Sequence, residues 1–261
     1  ASDVYKRQSR EWISGFTGSA GTVVVTTTKA GLWTDSRYFL QAALQLEGTE
    51  IELYKEMLPE TPSISTFLSM QLAPGDTVGI DGKMFSAEAV EDMRVKLQKH
   101  RIRLKSISDP LEQLWTDRPP MPEGPAFIHE TKYAGKSSTE KISIIREELK
   151  KCNAKALFLS ALDEIAWTLN LRGSDVHCNP VVVSYLLIEE QHTHFFIQPQ
   201  KITPVVANYL KEIGASLHPY EEVETYLNRI NVDSLLINPA KTNYAMYSAV
   251  NPNCRIIHGA S

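Results

Sequence analysis

The feature that most limits what this chain can fold into is an order of elements that occurs twice. "EWISGFTGSAG", Glu11 to Gly21, leads into a hairpin and a helix, and "IAWTLNLRGSD", Ile165 to Asp175, does the same. Each half reads as a helix end carrying Trp12 or Trp167, a glycine turn, a two-strand ribbon, a helix, a strand, a helix and a strand. Residue identity between the halves is weak, so the element order carries the argument. A hairpin supplies antiparallel pairing, and helical crossovers supply parallel pairing. The expectation is an α/β chain of two related domains in tandem, each a mixed β-sheet with flanking helices. A solenoid is excluded, because the repeat is far longer than about 50 residues.

The chain has 261 residues, which suits two domains of roughly 100–150 residues each. The boundary is read from "TDRPPMPEGP", where four prolines and a glycine in ten residues can continue neither helix nor strand. That gives a first domain over 1–120 and a second over 121–261. In the first, "TVVVTTT" and "AGLWTD" read as a hairpin joined around Lys29-Ala30-Gly31, and "PLEQLW" as a short helix. In the second, "ALDEIAWTLNLRG" reads as a helix that Gly173 terminates, capped by Asp163. Residues 1–10, "ASDVYKRQSR", make a poor beginning for a domain. The N-terminus therefore reads as truncated or altered.

Bulk properties close off several classes of function. The composition is 43% hydrophobic and 22% charged with a net charge of -4, and no Lys/Arg run forms a nucleic-acid patch. The longest apolar run, around Val181 to Ile188, is about half a membrane span. Residues 1–10 lack the apolar core of a signal peptide. Cys152, Cys178 and Cys254 are sparse and odd in number, as suits a reducing compartment.

Several motifs carry a bland reading. Gly15, Gly18 and Gly21 are spaced GxxGxxG and precede a hairpin, whereas a dinucleotide site needs GxGxxG before a crossover helix. "AGKSS" lacks the first glycine of a phosphate loop, with Glu130 in its place, and reads as a helix cap on Ser137 or Ser138 with Glu140 or Lys141 in the first turn. His192 and His194 share one face of a strand and read as an exposed polar tip. No HExxH or GxSxG occurs. "LRGSDVHCNP", Leu171 to Pro180, gathers Arg, Asp, His, Cys and Asn in one loop, either as a binding site or as a polar turn that satisfies its own backbone.

"GLWTDSRYF" is the sharper case. Asp35 falls at a strand exit, where it or Ser36 can cap the next helix. Arg37 then sits in a first helical turn, where a cation is disfavoured. An arginine placed against that preference points to an outward task, such as clamping a carboxylate, or to a solvated side chain.

"ISGFTGSAGT", "GLWTDSRYFLQAA", "WTDRP", "ALDEIAWTLNLRGSDVHCNPV" and the ending "CRIIHGAS" together resemble the cytosolic-type, three-domain Xaa-Pro aminopeptidases of the creatinase/prolidase superfamily. The resemblance runs over essentially the whole chain after about residue 9 and implies two tandem creatinase N-terminal-like domains. It also implies a third, C-terminal catalytic domain outside this sequence, with two divalent metal ions, usually manganese. Arg37 becomes a substrate contact, with Asp35 orienting it or capping its helix. Trp167, Arg172 and Asp175 would face the catalytic domain or a partner subunit, while His177 and Cys178 receive no role. The implied parent is a cytoplasmic, dimeric metallopeptidase acting on peptides with proline at the second position, and this region alone is inactive and holds no metal. The other reading kept open is a stand-alone α/β binding module derived from such an enzyme.

Overall fold

The computed structural model describes residues 2–260, with side chains from Gln8 to Ala260. The readings that touch Ala1 and Ser261 lie outside the described residues. Two compact units result, one of Ser2–Met84 and Ala89–Trp115, the other of Phe85–Glu88 and Thr116–Ser261.

The first unit opens with helix α1 (Ser2–Ser14). Gly15 closes it at φ +68, a left-handed conformation that costs glycine little. Strand β1 (Thr22–Val25) pairs antiparallel with β2 (Ala30–Thr34). The turn falls at Thr26 to Lys29 rather than around Lys29-Ala30-Gly31. The Thr26 hydroxyl accepts the N–H groups of Thr28 and Lys29, so the threonine run turns instead of extending. A 3₁₀ turn (Ser36–Tyr38) and α2 (Phe39–Gln45) cross over to β3 (Ile51–Lys55), which runs parallel to β2. Helix α3 (Ile64–Gln71), β4 (Thr77–Asp81), α4 (Ala87–Gln98) and β5 (Arg103–Ile107) follow, with β4 and β5 parallel. "PLEQLW" forms hydrogen-bonded turns around Leu111 instead of a helix, with Asp109 Oδ1 accepting the Leu111 N–H. Trp33, Phe67, Leu68, Leu97 and Ile102 form the core on one face, and Phe16, Leu32, Ala42 and Leu46 form it on the other.

The second unit carries a two-stranded ribbon, β6 (Phe127–Ile128), and later β8 (Leu171–Arg172). Between them lie α5 (Thr131–Ala134), α6 (Ser138–Lys151), β7 (Ala156–Leu159) and α7 (Leu162–Leu169). Ser137 and Glu140 form a reciprocal capping box on α6, so "AGKSS" is a helix start. Helix α7 ends at Asn170, φ 49, not at Gly173. The Asn170 side chain holds both the Lys141 ammonium and the Lys136 carbonyl, which fixes an asparagine in the left-handed region it tolerates. Ala161 is the N-cap, so Asp163 and Glu164 lie in the first turn, where a carboxylate suits the helix dipole. Then come β9 (Ser184–Glu189), β10 (Thr193–Ile197), a 3₁₀ turn (Pro199–Lys201), α8 (Pro204–Glu212), β11 (Ala215–Pro219), a 3₁₀ turn (Tyr220–Glu222), α9 (Val223–Arg229), β12 (Ser234–Ile237), α10 (Tyr244–Ala249) and β13 (Arg255–His258). One mixed six-stranded sheet runs β11-β10-β9-β7-β12-β13. Its two faces carry separate cores, one around Leu157, Leu186, Phe195 and Val206, the other around Phe158, Tyr185, Leu187 and Leu235.

Candidate functional site

The β2 exit is built from the inside outward. Trp33 is buried, stacked on Tyr54 at 4.0 Å, with its indole N–H given to the Pro62 carbonyl at 2.9 Å. Burial pushes the Tyr54 hydroxyl up to about 12. Thr34 donates to the Ala20 carbonyl at 2.7 Å, which ties the strand end to the glycine turn. That turn is itself fastened. The buried Arg10 donates to the carbonyls of Gly18 and Gly21, and a Cβ on Gly18 would meet the Phe16 ring at 2.1 Å.

On this base Asp35 is the N-cap of the 3₁₀ turn, accepting the Arg37 N–H at 3.1 Å. The Arg37 guanidinium returns to the same carboxylate through Nε at 2.9 Å and Nη2 at 2.7 Å. The fork is bidentate and lies outside, with side-chain exposures of 66% for Arg37 and 31% for Asp35. Hydrogen bonding to Arg37 holds the Asp35 carboxyl below its ordinary value. Tyr38 faces the other way, its hydroxyl 2.5 Å from Ser19 Oγ. Its ring lies edge-on to Phe16, and its face is 5.3 Å from the Arg37 carbon. The turn therefore presents a guanidinium whose partner is local and exposed, an arrangement able to exchange Asp35 for an incoming anion at small cost.

The other candidate loop is organised differently. Trp167 is half-exposed, with its ring 4.5 Å from the Lys141 ammonium, and burial pushes that lysine down. Arg172 donates to the Ala166 carbonyl at 2.6 Å. Asp175 is buried, accepting the Val183 N–H at 2.6 Å and the fully buried Lys201 ammonium. Asp175 is thus turned inward and tied to groups outside the loop. His177 and Cys178 lie in its turn, Cys178 at φ 60.

His194 does not belong to an exposed tip. It lies in a half-buried cluster, with Nδ1 3.0 Å from His218 Nε2 and Nε2 3.0 Å from the Tyr226 hydroxyl. Glu189 is 3.8 Å away. Strand β11 and helix α9 deliver His218 and Tyr226, which no short-range pattern could have signalled. Among the described residues no group of three or more His, Cys, Asp or Glu is arranged to hold a metal ion. No described helix is long and apolar enough to cross a membrane.

The Creatinase/Prolidase N-terminal domain family matches twice, over residues 3–114 and 117–261. The chain belongs to that family, and carries its domain in tandem. It is 40% identical over 250 residues to Aminopeptidase P2 of Arabidopsis thaliana, covering 94% of this chain and 35% of that protein. It is 37% identical over 257 residues to Xaa-Pro aminopeptidase 1 of Dictyostelium discoideum, covering 94% of this chain and 40% of that protein. Among solved structures it matches an X-prolyl aminopeptidase of Caenorhabditis elegans, described as a cytosolic enzyme with a di-nuclear active site. That match has a TM-score of 0.89 at 30% identity, over 96% of this chain and 42% of the other. The chain thus spans well under half the length of these relatives.

Proposed function

We propose that this chain forms the non-catalytic N-terminal region of a metal-dependent Xaa-Pro aminopeptidase, which releases the N-terminal residue preceding proline, and that it serves substrate access and assembly. The observation that carries this reading is the tandem pair of creatinase/prolidase N-terminal domains, aligned along 94% of the chain with aminopeptidases of that name. Domain I is taken as 1–120 and domain II as 121–261. The chemistry, attack of metal-activated water on the Xaa-Pro bond, belongs to a catalytic domain beyond these residues that holds two divalent ions, manganese in this reading. The parent works as a cytoplasmic homodimer.

Within that enzyme Arg37 contacts the peptide substrate, and Asp35 holds the guanidinium ready. Its exposure and its exchangeable local partner support this role. Two measurements test the reading. The 261-residue chain supplied with manganese should not turn over a Xaa-Pro peptide, and turnover contradicts the proposal. Arg37→Ala in the full-length enzyme should lower kcat/KM by about ten- to a hundredfold, the range for losing a hydrogen bond to a charged group, with metal content unchanged. Unchanged kinetics would remove Arg37 from the site.

A further inference from the structure

The C-terminal end of α6 gathers positive charge that its neighbours balance only in part. Arg146, Lys150, Asn153, Lys155 and Glu190 line a cavity of about 120 Å³ over the buried Leu149. Three cations meet one carboxylate there, in a chain whose net charge is -4. Arg146 and Lys150 are one helical turn apart on α6, where like charges repel. Lys155 makes a long contact with Glu190, at 3.9 Å. The nearby Glu148 is held by Lys151 at 2.6 Å, and neither residue lines the cavity.

Helix polarity accounts for part of this charge. Lys150 and Lys151 lie in the last turn of α6, where the dipole favours cations. Arg146 is a turn earlier and half-buried. Its Nε donates to the Glu189 carbonyl at 2.9 Å and its Nη2 to Thr193 Oγ1 at 3.2 Å. Two of the five guanidinium N–H groups are thus used to fix the fork, and the other three have no protein partner. Burial, with no carboxylate to offset it, pushes Arg146 below its ordinary value. The helix end does not oppose an anion. The carbonyls of Glu148, Leu149 and Lys150 accept the N–H groups of Cys152, Ala154 and Asn153, with Asn153 in the left-handed region at φ 54. These last-turn acceptors are therefore already engaged.

We propose that this cavity binds a phosphate dianion, either the free ion or the end group of a small phosphomonoester. The guanidinium fork suits phosphate oxygens, and the two lysines add point charges. The volume decides the size of the ligand. Pockets for drug-sized molecules span about 300–1,000 Å³, so this cavity admits the phosphoryl group and leaves any ester group outside. Binding there does not depend on the peptidase activity.

An NMR titration of the full 261-residue chain tests this, with inorganic phosphate and separately with methyl phosphate, chloride holding the ionic strength constant. The expected result is a saturable shift of the Asn153, Ala154 and Lys155 amides, half-complete at about 1 mM or below. Tighter binding of methyl phosphate assigns the ester as the ligand, and tighter or equal binding of inorganic phosphate assigns the free ion. Lys150→Gln combined with Lys155→Gln should weaken binding by at least about tenfold, the scale of one lost charge-assisted bond. Glu190→Gln, which removes the carboxylate from the lining, should tighten it. Lys151→Gln, on the same helix end but outside the cavity, should leave it within about twofold. Shifts that fail to saturate with both ligands, weakening by Lys151→Gln equal to that of the double variant, or weakening by Glu190→Gln overturns the proposal.

Discussion

The turns that leave the hairpin of each unit occupy the same place and use their residues differently. Thr34 ends β2 opposite Lys55, and Ile197 ends β10 opposite Pro219. Counting on, Tyr38 corresponds to Lys201, and Arg37 to Gln200. Tyr38 and Lys201 both reach back into the glycine turn ahead of their hairpin, one to Ser19 and the other to Asp175. The residue before each is exposed. A 3₁₀ turn rotates by about a third of a circle per residue, so if its last position faces inward, the preceding one faces out. The outward stance of Arg37 thus follows from the turn. What distinguishes the first unit is the chemistry placed there, a guanidinium with Asp35 beside it, where the second unit carries an uncharged amide.

The same comparison ranks the inward positions. Lys201 and Asp175 are wholly buried, so removing one leaves an uncompensated charge. Lys201→Ala should cost about 3–5 kcal/mol, read from denaturant midpoints, whereas Tyr38→Phe at the half-buried, uncharged counterpart should shift the midpoint far less. Equal shifts would break the correspondence. The glycine turns give the next effect. A Cβ on Gly18 would meet the Phe16 ring at 2.1 Å, and one on Gly173 would meet Val182 Cγ1 at 2.3 Å. Gly18→Ala and Gly173→Ala should each cost about 1–3 kcal/mol as overpacking. Loss in only one would show that the turns do not play matching roles.

The second unit should also respond to pH, where the described residues of the first have no counterpart cluster. Burial, then the neighbouring His194, pushes His218 below its ordinary 6.5, and the nearby His194 imidazole pulls Glu189 below 4.5. Both folded values are depressed. Their contributions to stability are therefore present above the unfolded values and lost on acidification, His218 first as pH falls from 6.5, then Glu189 below 4.5. Denaturation midpoints should fall across this range, and His218→Gln should flatten the upper part. A midpoint independent of pH down to 4.5 would contradict the geometry.

Legibility in the sequence followed the range of the interaction. The Ser137–Glu140 capping box and the Asp35 cap rest on residues two or three apart, and the tandem architecture on the repeated order of elements. Where a short side chain competed with the expected backbone, the reading slipped. Thr26 moved the hairpin turn, and Asn170 stopped α7 ahead of Gly173. The Lys201–Asp175 lock and the His194–His218–Tyr226 cluster join residues 24 to 32 positions apart, beyond any periodicity. The sequence pattern names strands, but strand neighbours are set by packing.

The smallest effect isolates Arg37 from the fold altogether. The pair is exposed, so Arg37→Ala should leave the denaturation midpoint near neutral pH where it was. Its trace is electrostatic. Asp35 is held below its ordinary 3.8, first by the Arg37 hydrogen bond, and the variant should return that carboxyl upward in an NMR titration. A depressed folded value adds stability only above the unfolded one, so any difference between the two proteins must vanish as pH falls below 3.8. Gln200→Ala, at the matching place, should move no carboxyl. If Asp35 titrates alike with and without Arg37, the fork does not form in solution, and the guanidinium is not held ready by its neighbour.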